Sequence, residues 1–324
     1  MIDKLYTNVQ NMKSRGSRLW PYVYKVNKLM INLLYPLKAR CDKAIGVDKS
    51  SNVVISLTTY PDRIKTVWVT IASLLDQTYK PCKVILWLSR QQFQDGYDKL
   101  PESLKKLTKR GLEIKFVDDD IKPHKKYYYA LKEYVRNDKG EDYLVITADD
   151  DIFYPERHIE RYVKASKKYP EAVICSWSHK IAFEDIDGHT VYTRYNTWED
   201  NSTPEPDIRT IPVGCNGVLY KAAFFDDELY NIDNICKYSL YTDDLWLKAM
   251  EVRNGIKAYN ISSEPLIYYN NIFTMKSGLW HTNTTDIDNR NDNVWSELNR
   301  LYPEVTGILS DNSCDEQTDE DKRV

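Results

Sequence analysis

The chain has 324 residues, enough for one large α/β domain with additions or for two domains. Charged residues make up 29% and the formal net charge is only −3, which excludes a nucleic-acid binder driven by overall charge. Six cysteines (Cys41, Cys82, Cys175, Cys215, Cys236, Cys314) show no CxxC or paired spacing and read as reduced thiols of a cytoplasmic protein. Aromatic residues are Tyr-heavy, 25 Tyr against 7 Phe, a usage that suits sugar and nucleotide sites as well as ordinary half-buried positions.

Residues 1–45 hold nine Lys or Arg against Asp3 and Asp42, a local +7 that leaves −10 for the rest. From Val23 onward, Val26, Met30, Leu33, Leu34 and Leu37 fall at helical spacing, with Lys25, Lys28 and Asn32 off that face and Trp20, Tyr22 and Tyr24 at its start. The run is too short and too often interrupted by Lys to span a bilayer, and no small-residue cleavage site follows it. Such a helix either lies on an anionic inner membrane surface or packs on a core with a snorkelling Lys face. Amphipathicity alone is compatible with both. The first reading makes the protein cytoplasmic with a peripheral place on the inner face of the membrane.

From residue 46 the pattern is α/β. A strand over 53–57 leads into the turn Thr58-Thr59-Tyr60-Pro61-Asp62-Arg63, with Asp62 a candidate N-cap. A helix follows whose face is Ile64, Val67, Trp68, Ile71, Ala72 and Leu75. Further strands are predicted over 83–88 and 112–117, the latter ending in Asp118-Asp119-Asp120, with a basic helix between them that stops at Gly111. A helix through Tyr129, Leu131 and Tyr134 precedes the apolar strand at 144–148. After Pro155 come a helix marked by Ile159, Tyr162, Val163, Ser166 and Tyr169, then a strand over 172–176. Strands alternating with helices imply right-handed crossovers and a mainly parallel sheet.

Beyond Trp177 a hairpin is expected around Asp187-Gly188, then a long loop through Pro204 and Pro206, a length that often carries function. The two glycines of Val213-Gly214-Cys215-Asn216-Gly217 allow close backbone approach to a ligand, or simply a tight turn. Thr242 is placed to cap a helix that opens on Asp243-Asp244, buries Leu245, Trp246, Ala249 and Met250, and closes at Gly255. The acidic stretch 306–324 reads as a disordered tail after a domain over 46–305.

The strand at 144–148 ends in Asp149-Asp150-Asp151, where open α/β sheets place their ligands. Three adjacent acids repel one another and cannot be buried unpaired. Mn²⁺ or Mg²⁺ would satisfy them, taking carboxylate oxygens and sharing its other positions with substrate phosphates; a solvated acidic turn is the plain alternative.

Taken in order, the strand ending in Asp-x-Asp, the Thr-Thr-Tyr-Pro-Asp-Arg turn, the later Asp-Asp opening a helix and the Asn/His-rich C-terminal segment resemble a GT-A-fold glycosyltransferase. The nearest group is the bacterial family-2-like enzymes that build capsular or lipopolysaccharide glycans, and the resemblance covers roughly residues 53–302. It implies a nucleotide-diphosphate-sugar donor, a UDP-sugar in the first instance, and a glycan or lipid-linked saccharide acceptor. It further implies that Asp149 touches the ribose or an ordered water, with Asp150 beside it at the donor, and that Asp151 ligates the metal. Thr58, Tyr60, Arg63, Asp118 and Asp119 become the base-binding wall, and Lys125 or Lys126 meets the phosphates. His281 resembles a C-terminal His that some of these enzymes add to the metal, and Asp243-Asp244 the second acidic motif, with Asp244 as catalytic carboxylate. Trp177 and Trp198 are candidates for stacking on the acceptor sugar, with core packing as the alternative.

The chain departs from the processive synthases, having no Gln-x-x-Arg-Trp and no membrane-spanning helix, and Asp243-Asp244 replaces the Glu-Asp pair of plain inverting enzymes. Two other classes fit the residues. Paired Asp at a strand end also builds two-metal nucleotidyl or phosphoryl transferases, and a Tyr/Trp surface also serves non-catalytic carbohydrate binding.

Overall fold

Seven segments pair into one sheet: β1 (Val53–Thr58), β2 (Lys83–Ser89), β3 (Leu112–Val117), β4 (Leu144–Ala148), β5 (Val173–Cys175), β6 (Val218–Tyr220) and β7 (Ala258–Asn260). The structure is a computed structural model that describes residues 2–187, 189–200, 204–262, 268–277 and 290–320. Strand order is β7-β5-β6-β4-β1-β2-β3. Neighbours are parallel except at β6, which runs antiparallel to both β4 and β5.

Continuous apolar runs suit central strands covered on both sides, and β4 is buried at all five positions. Side chains alternate between two cores. Val53, Ile55 and Leu57 of β1 face a core shared with α1 (Ile2–Ser14), α2 (Trp20–Cys41), α3 (Val67–Leu75) and, further along the chain, α5 (His158–Lys168). Val54 faces the other core, with α4 (Lys125–Glu133), α6 (Asp243–Arg253), α7 (Arg290–Leu301) and the start of α8 (Pro303–Glu320). This is the GT-A, Rossmann-like α/β architecture: a mainly parallel sheet flanked by helices, with helices N-terminal to it.

The helix after β1 begins at Val67 rather than at Asp62, which lies exposed in the turn, and α3 is buried on every side. The basic helix between β2 and β3 is broken into Glu102–Lys105 and a 3₁₀ turn at Lys106–Arg110 that ends at Gly111, φ +116°. The hairpin Phe183–Ile186/His189–Tyr192 forms as expected. Thr242 stands at the start of α6 without providing a side-chain cap. The acidic segment expected to be a tail from 306 begins inside α8, where Val305 and Leu309 are buried, so its first residues belong to the packed domain.

The basic N-terminal helices share the sheet's core. Backbone amides of Ile2 and Asp3 donate to the Glu156 carboxylate at 3.1 and 2.7 Å, and the Tyr35 hydroxyl donates to Asp76 at 2.8 Å. The face that α2 turns inward is Asn27, Ile31, Asn32, Tyr35 and Ala39. Most of the stripe visible in the sequence, Val26, Met30, Leu33, Leu34 and Leu37, points to solvent instead.

Candidate active site

β4 lies near the middle of the sheet, between β1 and β6, so the three acids that follow it emerge inside the molecule. Each takes a different partner. Asp150 is buried and turned toward the β1–α3 turn, accepting from Thr59 Oγ1 and Arg63 Nη1, each at 2.5 Å. Its carbonyl accepts from Thr70 Oγ1 at 3.1 Å. Asp150 therefore straps the strand end to the β1–α3 turn and to α3, its carboxylate committed to Thr59 and Arg63. Arg63 also reaches Asp151 at 3.1 Å, and its guanidinium lies over the Tyr60 ring at 5.5 Å. Burial and the neighbouring Asp150 push the Asp151 carboxyl up to about 7 despite Arg63. The Asp149 amide donates to the Tyr154 hydroxyl at 2.9 Å, fixing the turn from behind.

Lys126 is the hub of the site. It comes from the first turn of α4 and is buried. Its ammonium donates to Asp149 Oδ1 at 3.1 Å and pairs with Asp243 Oδ2 at 2.9 Å, the latter as an ion pair rather than an aligned hydrogen bond. Burial alone would lower its pKa, but Asp149, Asp243 and Asp244 together hold it well above the ordinary lysine value. The two acidic motifs, nearly a hundred residues apart, thus meet across one cation. Asp244 is half-buried and accepts from the Gly214 amide at 3.2 Å. Burial and Asp243 raise its carboxyl to about 7 against the pull of Lys126.

Gly214 is a close-approach position, as its sequence context suggests, and what it approaches is this carboxylate. A Cβ there would stand 2.7 Å from Asp244 Oδ1 and 3.1 Å from Lys126 Nζ. Lys125, the other lysine expected near the phosphates, is buried against Asp120 at 2.5 Å and does not enter the site. Sequence reasoning missed the roles of Thr59, inside the turn motif, and Tyr154, just after the acidic one, and missed Thr70, which stands in α3 beside no motif; polar groups next to buried charge are where such hydrogen bonds must come from.

The remaining expectations divide. Thr58 is half-buried and spends its hydroxyl on the Trp87 carbonyl at 2.8 Å. Asp118 and Asp119 are exposed at the end of β3, Asp118 beside Arg90 at 3.3 Å and Asp119 beside the Tyr129 hydroxyl at 3.4 Å. Trp198 is buried against Tyr195 and Trp295, so core packing accounts for it. Trp177 is half-buried and donates to Asp200 at 2.8 Å. His281 lies outside the described residues.

Residues 55–224, just over half of the chain, match the family model described as glycosyl transferase family 2. The chain belongs to that family. Its reaction class is therefore glycosyl transfer, with a nucleotide sugar as donor, and the matched span runs from β1 through β6. No curated protein matches the chain. Among solved structures it is similar to S. aureus TarS 1–349, at 14% identity over 76% of this chain and 69% of that one, TM-score 0.37. The same TarS fragment in complex with UDP gives 16%, 76% and 70%, TM-score 0.38. Francisella tularensis 2-C-methyl-D-erythritol 4-phosphate cytidylyltransferase gives 15%, 66% and 91%, TM-score 0.34. These likenesses are too distant to carry a statement about this chain.

Among the described residues no three His, Cys, Asp or Glu side chains converge as a complete metal cage. The donor set that does face the site, Asp149 and Asp151, suits a hard cation that takes one or two carboxylates and completes its shell with substrate phosphates. No described helix is long and apolar enough to cross a membrane.

Proposed function

We propose that this glycosyltransferase moves a sugar from a nucleotide-diphosphate donor, a UDP-sugar in the first instance, to a glycan or lipid-linked saccharide of a bacterial surface polysaccharide. The observation that carries this reading is the meeting of Asp149, Asp243 and Asp244 around buried Lys126, with Asp244 left half-open. Asp151 and Asp149 would hold Mn²⁺ or Mg²⁺ together with the donor diphosphate, neutralising the charge of the leaving group.

The chain's own groups take the other roles. Asp243 is fixed by its ion pair, so it serves as an anchor for Lys126. Asp244, held by a single backbone amide, is free to accept a proton. In the step, the acceptor oxygen bonds to the anomeric carbon and the bond from that carbon to the diphosphate oxygen breaks. The acceptor proton passes to Asp244, and the nucleoside diphosphate leaves. Arg63 and Lys126, already within reach of Asp151 and Asp149, keep positive charge beside the departing phosphates. The Thr58–Arg63 turn and the exposed acids at the end of β3 would form the wall for the base.

The test is a thermal-shift panel of nucleotides and sugar nucleotides with and without Mn²⁺, followed by assay of the released product. Stabilisation by UDP or a UDP-sugar that requires Mn²⁺, with release of a nucleoside diphosphate, supports the reading. Release of pyrophosphate would make the enzyme a nucleotidyl transferase, and binding of free sugars with no nucleotide response would remove the donor assignment.

A further inference from the structure

The inward face of α2 is short of apolar residues for a core helix, because its apolar residues are on the other side. Leu19, Tyr22, Val26, Leu29, Leu33 and Leu37 recur at three- and four-residue steps, with Met30 and Leu34 beside them, and all are 42–68% exposed. At about 100° per residue they occupy an arc of roughly 140°, almost opposite Ile31, Tyr35 and Ala39, over a length of about 27 Å. No described element covers them. Large side chains scattered singly on a surface need no account, but a continuous stripe of this length does. Phe273, 69% exposed, follows Ile272, whose amide donates to Asn32 of α2 at 2.9 Å, and so adds apolar surface near the same helix.

The surroundings choose the occupant. Residues 1–45 carry +7 in a chain of −3, and Arg15, Arg18, Lys25, Arg40 and Lys43 are exposed or half-exposed around the stripe. A second copy docking here would bring two +7 segments together and be opposed by their repulsion. An anionic bilayer would be attracted by the same charge while its acyl boundary takes the apolar side chains. We propose that the outer face of α2 lies on an anionic lipid bilayer.

The fold couples this face to the active site. Asn32 donates to the Asn270 carbonyl at 3.1 Å; Asn270 pairs with Ile152, and the Asn271 amide donates to the Asp151 carbonyl at 2.7 Å. A helix is about 10 Å across, so a docked α2 holds the metal-side acid of the site one helix away from the headgroups. An acceptor whose saccharide is tethered to lipid is then within reach while the sheet stays in water. That consequence rests on the proposed function; the docking itself does not.

The experiment uses the full chain in vesicle flotation, with phosphatidylcholine alone and with phosphatidylglycerol added, alongside the UDP/Mn²⁺ thermal shift on the same protein. Wild type should float with anionic vesicles and not with neutral ones, and high salt should release part of it. Leu29→Glu/Leu33→Glu, two exposed helix positions given a good helix former, should lose roughly tenfold or more of the bound fraction with an unchanged melting temperature and nucleotide response. Arg18→Glu/Lys25→Glu should weaken binding to anionic vesicles by a smaller factor. The proposal is overturned if wild type stays unbound, floats equally with neutral vesicles, or floats undiminished in the Leu29/Leu33 variant. It is also overturned if sedimentation shows a dimer that this variant dissolves, since the second copy would then be the occupant. Loss of the nucleotide response alone would count against the donor assignment and leave the docking result standing.

Discussion

The chain carries two Asp triplets at strand ends, and they have opposite fates. Asp118-Asp119-Asp120 follows β3, the outermost strand of the sheet, so Asp118 and Asp119 meet water; only Asp120 is drawn in, against Lys122 and Lys125. Asp149-Asp150-Asp151 follows β4 in the interior of the sheet, and every one of its carboxylates faces a buried cation, Lys126 or Arg63. Composition is identical. The difference is strand order, which sets whether solvent or the chain must satisfy the charge. Where the chain must do so, the cations are locked, and locked charge of both signs is what a reaction with a charged leaving group requires.

The largest effect should come from removing the cation of the inner set. Lys126→Met leaves Asp149, Asp243 and Asp244 uncompensated, and breaking a buried pair from one side costs about 3–5 kcal/mol. Arg90→Met, which removes the exposed partner of Asp118, should cost no more than about 1 kcal/mol. Denaturant melts of the two variants measure the contrast, and equal losses would mean that strand order does not govern the two sets. The gap should narrow at acid pH, where the orphaned carboxylates take up protons.

Next in size is Asp244→Asn. Loss of a general base should lower turnover roughly a hundredfold, about 2.7 kcal/mol in the barrier, with donor affinity nearly unchanged. If Asp244→Asn keeps full activity, or Asp243→Asn proves the more damaging, the assignment of the base falls. Because its carboxyl sits near 7 in the fold, kcat/KM of the wild type should rise with pH and level off above about 7, a limb the Asn variant lacks. Stability runs the other way. A carboxyl raised from 3.8 holds its proton longer in the folded chain, so its contribution is complete below about 4 and is lost as pH rises through 7. The melting temperature of wild type relative to Asp244→Asn should therefore fall across that window.

Much of this is legible in the residues, and for identifiable reasons. Apolar runs bounded by turns locate β1, β2 and β4, because a central parallel strand must be apolar on both faces, while β3 at the sheet edge shows instead the alternation of Leu112, Ile114 and Phe116 with Glu113 and Lys115. The ordered acidic motifs point to the site, because unpaired buried carboxylates are too costly to be accidental. Helix α2 is half legible. Its periodicity shows a stripe, but periodicity does not say which side faces the core, and Asn27 and Asn32 face inward because Tyr269 and Asn270 supply partners. Lys126 looks like half of a solvated Lys pair; only the fold, by packing α4 and α6 into one core on the same face of the sheet, brings Asp243 to meet it. Trp198 likewise reads as a sugar platform until Trp295, almost a hundred residues on, closes over it.

A subtler break is Gly214→Ala. The added carbon would stand 2.7 Å from Asp244 Oδ1, but that carboxylate is the movable end of a side chain. The stability cost should stay near 1 kcal/mol, at the low end for overpacking, while turnover falls further because the displaced group is the base. Equal melting and equal turnover in wild type and the Gly214→Ala variant would show that Asp244 does not need its present position.

The smallest effect belongs to the outer triplet and decides whether it has a role at all. Asp118 and Asp119 are exposed, so Asp118→Ala and Asp119→Ala should each change stability by less than about 0.5 kcal/mol. Asp119 gives up only a long contact with the Tyr129 hydroxyl, 3.4 Å, and Asp118 a solvent-screened pair with Arg90. If either accepts a hydrogen bond from the base of the donor, its loss is worth about 0.5–1.5 kcal/mol, a two- to tenfold rise in the Kd of UDP by titration calorimetry. The Asn variants should recover part of that loss, because the amide oxygen still accepts. An unchanged Kd in both Ala variants would leave this triplet a solvated edge, and the base-binding wall would then reduce to the Thr58–Arg63 turn.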